Sequence, residues 1–191
     1  MDYFEYRGEE LFAEGVGVQR IVREVGTPTY IYSLATIRRH YRVFDQAFAR
    51  LPHLICFSTK ANSNLAVLRV FVKEEGGFDI VSGGELYRVL LAGVHPRKVV
   101  FSGVGKRREE IESALNAGIL MFNVESVPEL DILNEIARGM NKRAPISLRV
   151  NPEVDPQPHP YIATGLKKSK FGIDIKRSVK EYKRAFSLSH L

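Results

Sequence analysis

Apolar residues recur along this chain in short blocks that alternate between two periods. Runs rich in β-branched and aromatic residues occupy 54–59, 77–81, 98–102, 119–124 and 145–150. Between them, at 64–75, 84–93, 107–117 and 126–140, apolar positions fall three and four apart. The same spacing returns at 176–187. The first set predicts strands and the second amphipathic helices. Gly76-Gly77, Gly93, Gly118 and Gly139 stand where these helices should stop. Pro128 stands near the start of one, where a missing N–H is harmless. Strands joined by single helices predict right-handed parallel βαβ units. The repeat is architectural, because the residues of successive units are not alike.

An open doubly wound sheet and a (β/α)8 barrel both fit this rhythm. A dinucleotide-binding sheet would carry Gly-x-Gly-x-x-Gly just after its first strand. Here that turn reads Lys60-Ala61-Asn62-Ser63-Asn64, without glycine. Gly103-Val104-Gly105-Lys106 follows a strand but lacks the third glycine and the rest of a P-loop. The reading is therefore α/β, a partial (β/α)8 barrel of five βα units. Residues 1–50 stand outside the rhythm. Thr29-Tyr30-Ile31-Tyr32 predicts an isolated strand with no partner nearby, belonging to another domain or another chain. Leu34, Ile37, Tyr41, Phe44 and Phe48 form one stripe of a helix over 34–50, expected to be core.

The polar residues at the C-terminal ends of the strands carry the candidate chemistry. They are Lys60, then Asp79 and Ser82, then Ser102 and Gly103, then Asn123 and Glu125, then Arg149 and Asn151. In a barrel these converge on the mouth where active sites lie. Lys60 ends the apolar run Leu54-Ile55-Cys56-Phe57. Desolvation there would favour the neutral amine, a nucleophile toward aldehydes, as a Schiff-base lysine requires. The bland alternative is a surface lysine at a strand end. Asp79 lies inside a buried run and needs a partner, for which Lys60 is the neighbouring candidate. Its alternative is a turn carboxylate. For Arg149 the alternative is a structural ion pair, and for Glu125 and Ser126 it is helix capping before Pro128. Glu85 suits a helix N-terminus.

Composition adds bounds rather than chemistry. The chain has 191 residues, 45% hydrophobic and 26% charged, ordinary for a globular domain. The single Cys56 excludes an internal disulfide and fits a reducing compartment. No stretch approaches a membrane span, and the N-terminus lacks a signal-peptide layout, so a cytoplasmic location is expected. No metal site is expected. The net charge of +6 gathers late, at Lys167, Lys168, Lys170, Lys176, Arg177, Lys180, Lys183 and Arg184. Without interleaved stacking groups this argues against nucleic acid. The lysines between Gly165 and Gly172 fit an anionic small ligand better.

Several segments, in this order, resemble the fold-type III pyridoxal-phosphate decarboxylases. They are Cys56-Phe57-Ser58-Thr59-Lys60-Ala61-Asn62-Ser63-Asn64, Gly77 through Leu86, Phe101 through Lys106, Phe122 through Ser126, Leu148 through Pro152, and His159 through Gly172. The last resembles the branch that acts on diaminopimelate. The resemblance implies an alanine racemase-like barrel and pyridoxal 5'-phosphate as cofactor, bound covalently by Lys60. Asp79 and Arg149 match positions beside the cofactor. Lys170 matches a lysine at the dimer-related edge of the site. Ser58 departs from the usual Ala or Pro. The implied reaction removes CO2 from meso-2,6-diaminopimelate, a small amino-acid substrate, to give L-lysine. A decarboxylase of ornithine, lysine or arginine is the alternative within the class. A non-catalytic half-barrel that binds or regulates is the alternative outside it. The resemblance also implies a homodimer at full length and no membrane or nucleic-acid partner. Residues 1–33 are expected to pair with a C-terminal β domain, and 34–191 to form an incomplete cofactor-binding barrel. The chain is on this reading an N-terminal part of a longer product.

Overall fold

A computed structural model describes residues 2–152 and 172–191. At its centre lie five parallel strands in sequential order. They are β4 (Cys56–Ser58), β5 (Gly77–Ile80), β6 (Val99–Phe101), β7 (Met121–Val124) and β8 (Ile146–Leu148). Their order never reverses, as it must in a doubly wound sheet. Each of the first four strands leads into one helix: α3 (Leu65–Lys73), α4 (Gly83–Ala92), α5 (Arg108–Ala117) and α6 (Val127–Gly139). Successive helices pack on one another along one face of the sheet. This is the arc of an α/β barrel, and the predicted strands and helices fall where these elements stand.

Alternation along each strand decides what faces each side. Phe78, Ile80, Val99, Phe101, Phe122, Val124 and Leu148 turn toward the helices and are buried. They meet Leu68, Leu86, Val89, Ile111, Leu130, Leu133 and Ile136 from the helical layer. The register pairs Ser58 with Asp79, Asp79 with Val100, and Asn123 with Ser147. These residues therefore share the opposite, concave face. Gly77 is required there by close approach. A Cβ at this position would lie 2.4 Å from the Lys98 carbonyl oxygen and 3.0 Å from Cys56 Sγ.

Helix starts follow a repeated local code. Ser82 caps α4 by accepting from the Glu85 N–H at 3.2 Å, and Glu85 accepts from the Val81 N–H at 2.8 Å. Two units later, Glu129 accepts from the Glu125 N–H at 2.8 Å. Each glutamate closes a strand-to-helix turn by satisfying an N–H that the ladder leaves open. Gly93 and Gly118 end α4 and α5 in the left-handed conformation, as anticipated. Beyond β8, Val150–Asn151 (β9) pairs in parallel with Ile173–Asp174 (β10), which leads into α7 (Ile175–Ser187).

The N-terminal region departs from expectation. Phe4–Arg7 (β1), Glu10–Ala13 (β2) and Val16–Gly17 (β3) form an antiparallel sheet followed by the helix α1 (Val18–Val25). The sequence reading missed it because such short strands carry little periodicity. Thr29–Tyr32 is not a strand among the described residues: it pairs with nothing, and Tyr30 and Tyr32 are exposed. The stripe on α2 (Leu34–Ala47) is only partly core. Tyr41 is buried, whereas Leu34, Phe44 and Phe48 are exposed, because α2 packs on α3 over a narrow contact.

Glu14 clamps this small sheet to α2. Its Oε1 accepts from the Ser33 hydroxyl at 2.8 Å and from the Ala35 N–H at 2.9 Å. Ser33 in turn accepts from the Thr36 N–H at 3.0 Å. Two open N–H groups of the helix start are thus satisfied. The Ala35 N–H first, then the Ser33 hydroxyl, hold the Glu14 carboxyl below its usual range. A depressed folded value adds stability above the unfolded value and loses it as pH falls through the folded one. Glu14→Gln should cost up to about 1 kcal/mol at neutral pH, given the surface exposure. Denaturant unfolding should show the gap to wild type closing below about pH 4. A gap independent of pH would mean that the carboxylate charge is not what holds the clamp.

Candidate active site

Of the strand-end residues singled out from the sequence, all but Ser82, which caps α4, and Asn151 converge. Lys60, Asp79, Val81, Ser102, Gly103, Asn123, Glu125, Ser147 and Arg149 line one cleft of about 580 Å³ on the concave face. That volume suits a small cofactor or substrate. Among the described residues, no cluster of His, Cys, Asp or Glu is arranged to hold a metal ion. Lys167, Lys168 and Lys170 lie outside the described residues.

Lys60 sits in the single 3-10 turn Thr59–Ala61 that follows β4. It is exposed at the cleft rather than desolvated, which corrects the sequence expectation. Its turn carries it past the last ladder position, Ser58. Asp79 is also not its ion-pair partner. Asp79 Oδ1 instead accepts from the Ser102 hydroxyl at 2.5 Å. Among the described residues, Lys60 makes no ion pair or hydrogen bond. An amine so placed is free to react.

Lys106 is the opposite case. Its side chain is 1% exposed. Its ammonium donates to the Gly103 and Asn123 carbonyls, each at 2.8 Å, and to Glu129 Oε1 at 2.6 Å. Three donors meet three acceptors, and Phe101 lies under the charge at 5.7 Å. Lys106 therefore ties the turn after β6 to the end of β7 beneath the cleft. Glycines 103 and 105 beside it form neither a P-loop nor a dinucleotide turn.

Arg149 and Glu125 make the far wall. Arg149 Nη1 donates to both oxygens of Glu125, at 3.0 and 3.1 Å. The Glu125 side chain is 2% exposed and that of Arg149 is 42%. Glu125 Oε1 also accepts from the Gly103 N–H at 3.1 Å. The structural ion pair weighed for Arg149 is present, yet its outer part still faces the cleft. Helix capping, weighed for Glu125, falls to Glu129 instead. Cys56 lies on the concave face beside Asp79. Burial first, then the Asp79 charge, pushes its thiol up to about 11, so it stays protonated at neutral pH.

One feature was missed entirely. Ser147 donates to Asn123 Oδ1 at 2.6 Å, and Asn123 Nδ2 donates to Ser102 at 2.8 Å. With the bond to Asp79, this makes a continuous row across β5 to β8. Its signal in the sequence is faint: a single polar residue at the concave position of each otherwise apolar strand.

A parallel (β/α) arc with an exposed lysine at the end of its first strand is the frame of a barrel with a cleft at its strand ends. Residues 34–191 match the pyridoxal-dependent decarboxylases in their pyridoxal binding domain, and the chain belongs to that family. Within it, the chain is 56% identical over 191 residues to a diaminopimelate decarboxylase of Pseudomonas aeruginosa. It is 53% identical over 191 residues to that of Haemophilus influenzae. All of this chain is covered in both, but only 46% of each relative. Among solved structures, it resembles the diaminopimelate decarboxylase of M. jannaschii in complex with L-lysine. The TM-score is 0.90 at 37% identity, covering 98% of this chain and 45% of that one. The Helicobacter pylori enzyme complexed with L-lysine gives 0.88 at 41%, covering 91% and 44%. A viral arginine decarboxylase at 19% identity shares the fold alone. Pyridoxal 5'-phosphate, the family's cofactor, fits this donor set. The cleft offers an unpaired amine, a fixed acceptor carboxylate and a guanidinium, and its volume admits the ring.

The two lysines should separate by stability. Lys106→Met strands a part-buried glutamate and two carbonyls, and should cost about 3 kcal/mol. Lys60→Met should change the unfolding free energy by no more than about 0.5 kcal/mol. Denaturant unfolding of the cofactor-free protein measures both. Equal costs would contradict the division between a structural and a reactive lysine.

Proposed function

We propose that the protein containing this chain removes CO2 from meso-2,6-diaminopimelate to give L-lysine, using pyridoxal 5'-phosphate. The observation that carries the reading is Lys60, open and unpaired among the described residues, in a cleft shared with Asp79 and Arg149. The diaminopimelate decarboxylases to which the chain is similar support the choice of substrate. When bound, the cofactor supplies an electron sink for the pair of electrons left by the departing carboxylate.

The chain's own residues divide the remaining work. The Lys60 amine would hold the cofactor covalently, and its Nζ is placed to carry a proton to or from the substrate. Asp79 offers a carboxylate that accepts from an ammonium on that side of the cleft. Arg149 places positive charge at the opposite wall, held in orientation by Glu125. Lys106 keeps the β6 and β7 turns fixed, so these groups need little reorganisation. Val81 adds an apolar contact to the lining. Residues 34–191 supply the cofactor-binding barrel portion. Tyr30 and Tyr32, exposed and unpaired, are where residues 1–33 join a β domain elsewhere in the protein. A cytoplasmic homodimer completes the reading.

Borohydride reduction of the full-length protein with bound cofactor, followed by peptide mapping, should place the label on Lys60. A label on Lys106 or Lys170 would overturn the assignment. Lys60→Ala should lower CO2 release to background while leaving the fold intact. The full-length protein should release CO2 from meso-diaminopimelate far faster than from ornithine, lysine or arginine. Comparable rates on ornithine would move it to the other branch of the class.

A further inference from the structure

The row on the cleft floor has a direction, and Asp79 sets it. An ionised carboxylate only accepts. Ser102 must therefore spend its one proton on Asp79 Oδ1. The Ser102 oxygen is left as an acceptor, so it takes a proton from Asn123 Nδ2. That choice turns the Asn123 carbonyl toward Ser147, which must donate. Three side chains on three strands are thus oriented by one charge. Conversely, the row pins Asp79. Its Oδ1 is occupied by the Ser102 hydroxyl. Among the described residues, its Oδ2 accepts no hydrogen bond.

The register explains how such a row can form. Asn123 and Ser147 stand at the same ladder level. Ser102 follows Val100 by two residues, and Val100 pairs with Asp79. The last bond therefore steps diagonally from one level to the next, from β6 down to β5. Nothing in packing requires a hydroxyl, an amide and a hydroxyl at these positions. Apolar residues would cover the same floor, and a half-satisfied polar row would be worse than none. Here every link is made.

We propose that Ser102, Asn123 and Ser147 are positioning residues that act through Asp79. They hold its carboxylate so that Oδ2 stays available, in the cleft that Lys60 shares, to an ammonium group. This rests on the functional reading above, in which Lys60 carries the cofactor. It adds a role for three residues that do not themselves react.

The test compares cofactor capture by the full-length apoprotein, using pyridoxal 5'-phosphate and phosphate-free pyridoxal in parallel. Dissociation constants come from absorbance titration, and borohydride mapping confirms Lys60. Ser102→Ala removes the donor to Asp79 and should weaken capture of both aldehydes about tenfold, the scale of one hydrogen bond to a charged group. Ser102→Thr keeps the hydroxyl and should restore capture to within about twofold. Asn123→Asp leaves Ser102 intact but introduces a carboxylate that competes for its proton. It should weaken capture as Ser102→Ala does. The double variant should be no worse than Ser102→Ala alone, because both act on one link.

Independent, multiplying effects would overturn the row, as would a loss confined to the phosphate form, which is charge repulsion alone. Variants that still melt cooperatively yet capture like wild type would also overturn it. If wild type itself shows no label at Lys60, the functional reading falls and takes the row's role with it. A labelled wild type with unchanged variants sinks the row only.

Discussion

The whole arrangement depends on a constraint with a period of two. Along each parallel strand, one residue must satisfy the helical layer and the next must satisfy the concave face. On the helical side this selects Phe78, Ile80, Phe101, Phe122 and Val124, all fully buried. On the other side it delivers Asp79, Ser102, Asn123 and Ser147 to one surface. A slip of one residue in any ladder would exchange the two sets and put a carboxylate among the phenylalanines. Core packing therefore fixes register, and register fixes the cleft. Chemistry and stability use alternate residues of the same short strands.

That coupling explains why so much could be read from the sequence and where reading stopped. Strands such as Gly77–Ile80 and Met121–Val124 were legible because their apolar positions and their closing glycines agree. Strand-end placement of Lys60, Asp79 and Arg149 followed from topology alone. The partners did not. Asp79 was paired with Lys60 by proximity of strand ends, but the stagger between strands brings Ser102 closer. Lys60 was expected to be buried because its run is apolar, yet its 3-10 turn lifts it out of the sheet. Such diagonal contacts depend on a register that no single segment encodes. The N-terminal sheet failed for a different reason. Its strands of two to four residues are held by turns and by the Glu14 clamp, not by an amphipathic pattern.

Charge burial beneath the cleft shows what the fold gives up for rigidity. Taking Lys106 and Glu129 out of water costs each several kcal/mol before their attraction is counted. An apolar pair would fill the space at less cost. It could not, however, hold the Gly103 and Asn123 carbonyls, which belong to two separate strand ends. The Asn123 carbonyl bound by Lys106 belongs to the residue whose side chain stands in the row. Gly103 likewise donates its N–H to Glu125, which holds Arg149. Movement at either turn would therefore reach the cleft at Asp79 on one side and at Arg149 on the other.

The contrast between the two lysines follows from this economy. A lysine with three satisfied donors is a structural cation, whatever its distance from the chemistry. One with none among the described residues has its free amine as its main asset. Lys60 is held by backbone, through the 3-10 turn and the Asn64 cap of α3, whose side chain accepts from the Ala66 N–H at 2.9 Å. Its position is thus set without engaging its nitrogen. The same sheet fixes Asp79 through one oxygen and leaves the other open. A group meant to form and break bonds with a visiting molecule must be placed by contacts that spare its reacting atom. In this cleft the Lys60 amine and the second oxygen of Asp79 are spared in that way, the first by a backbone turn and the second by a side chain from the next strand.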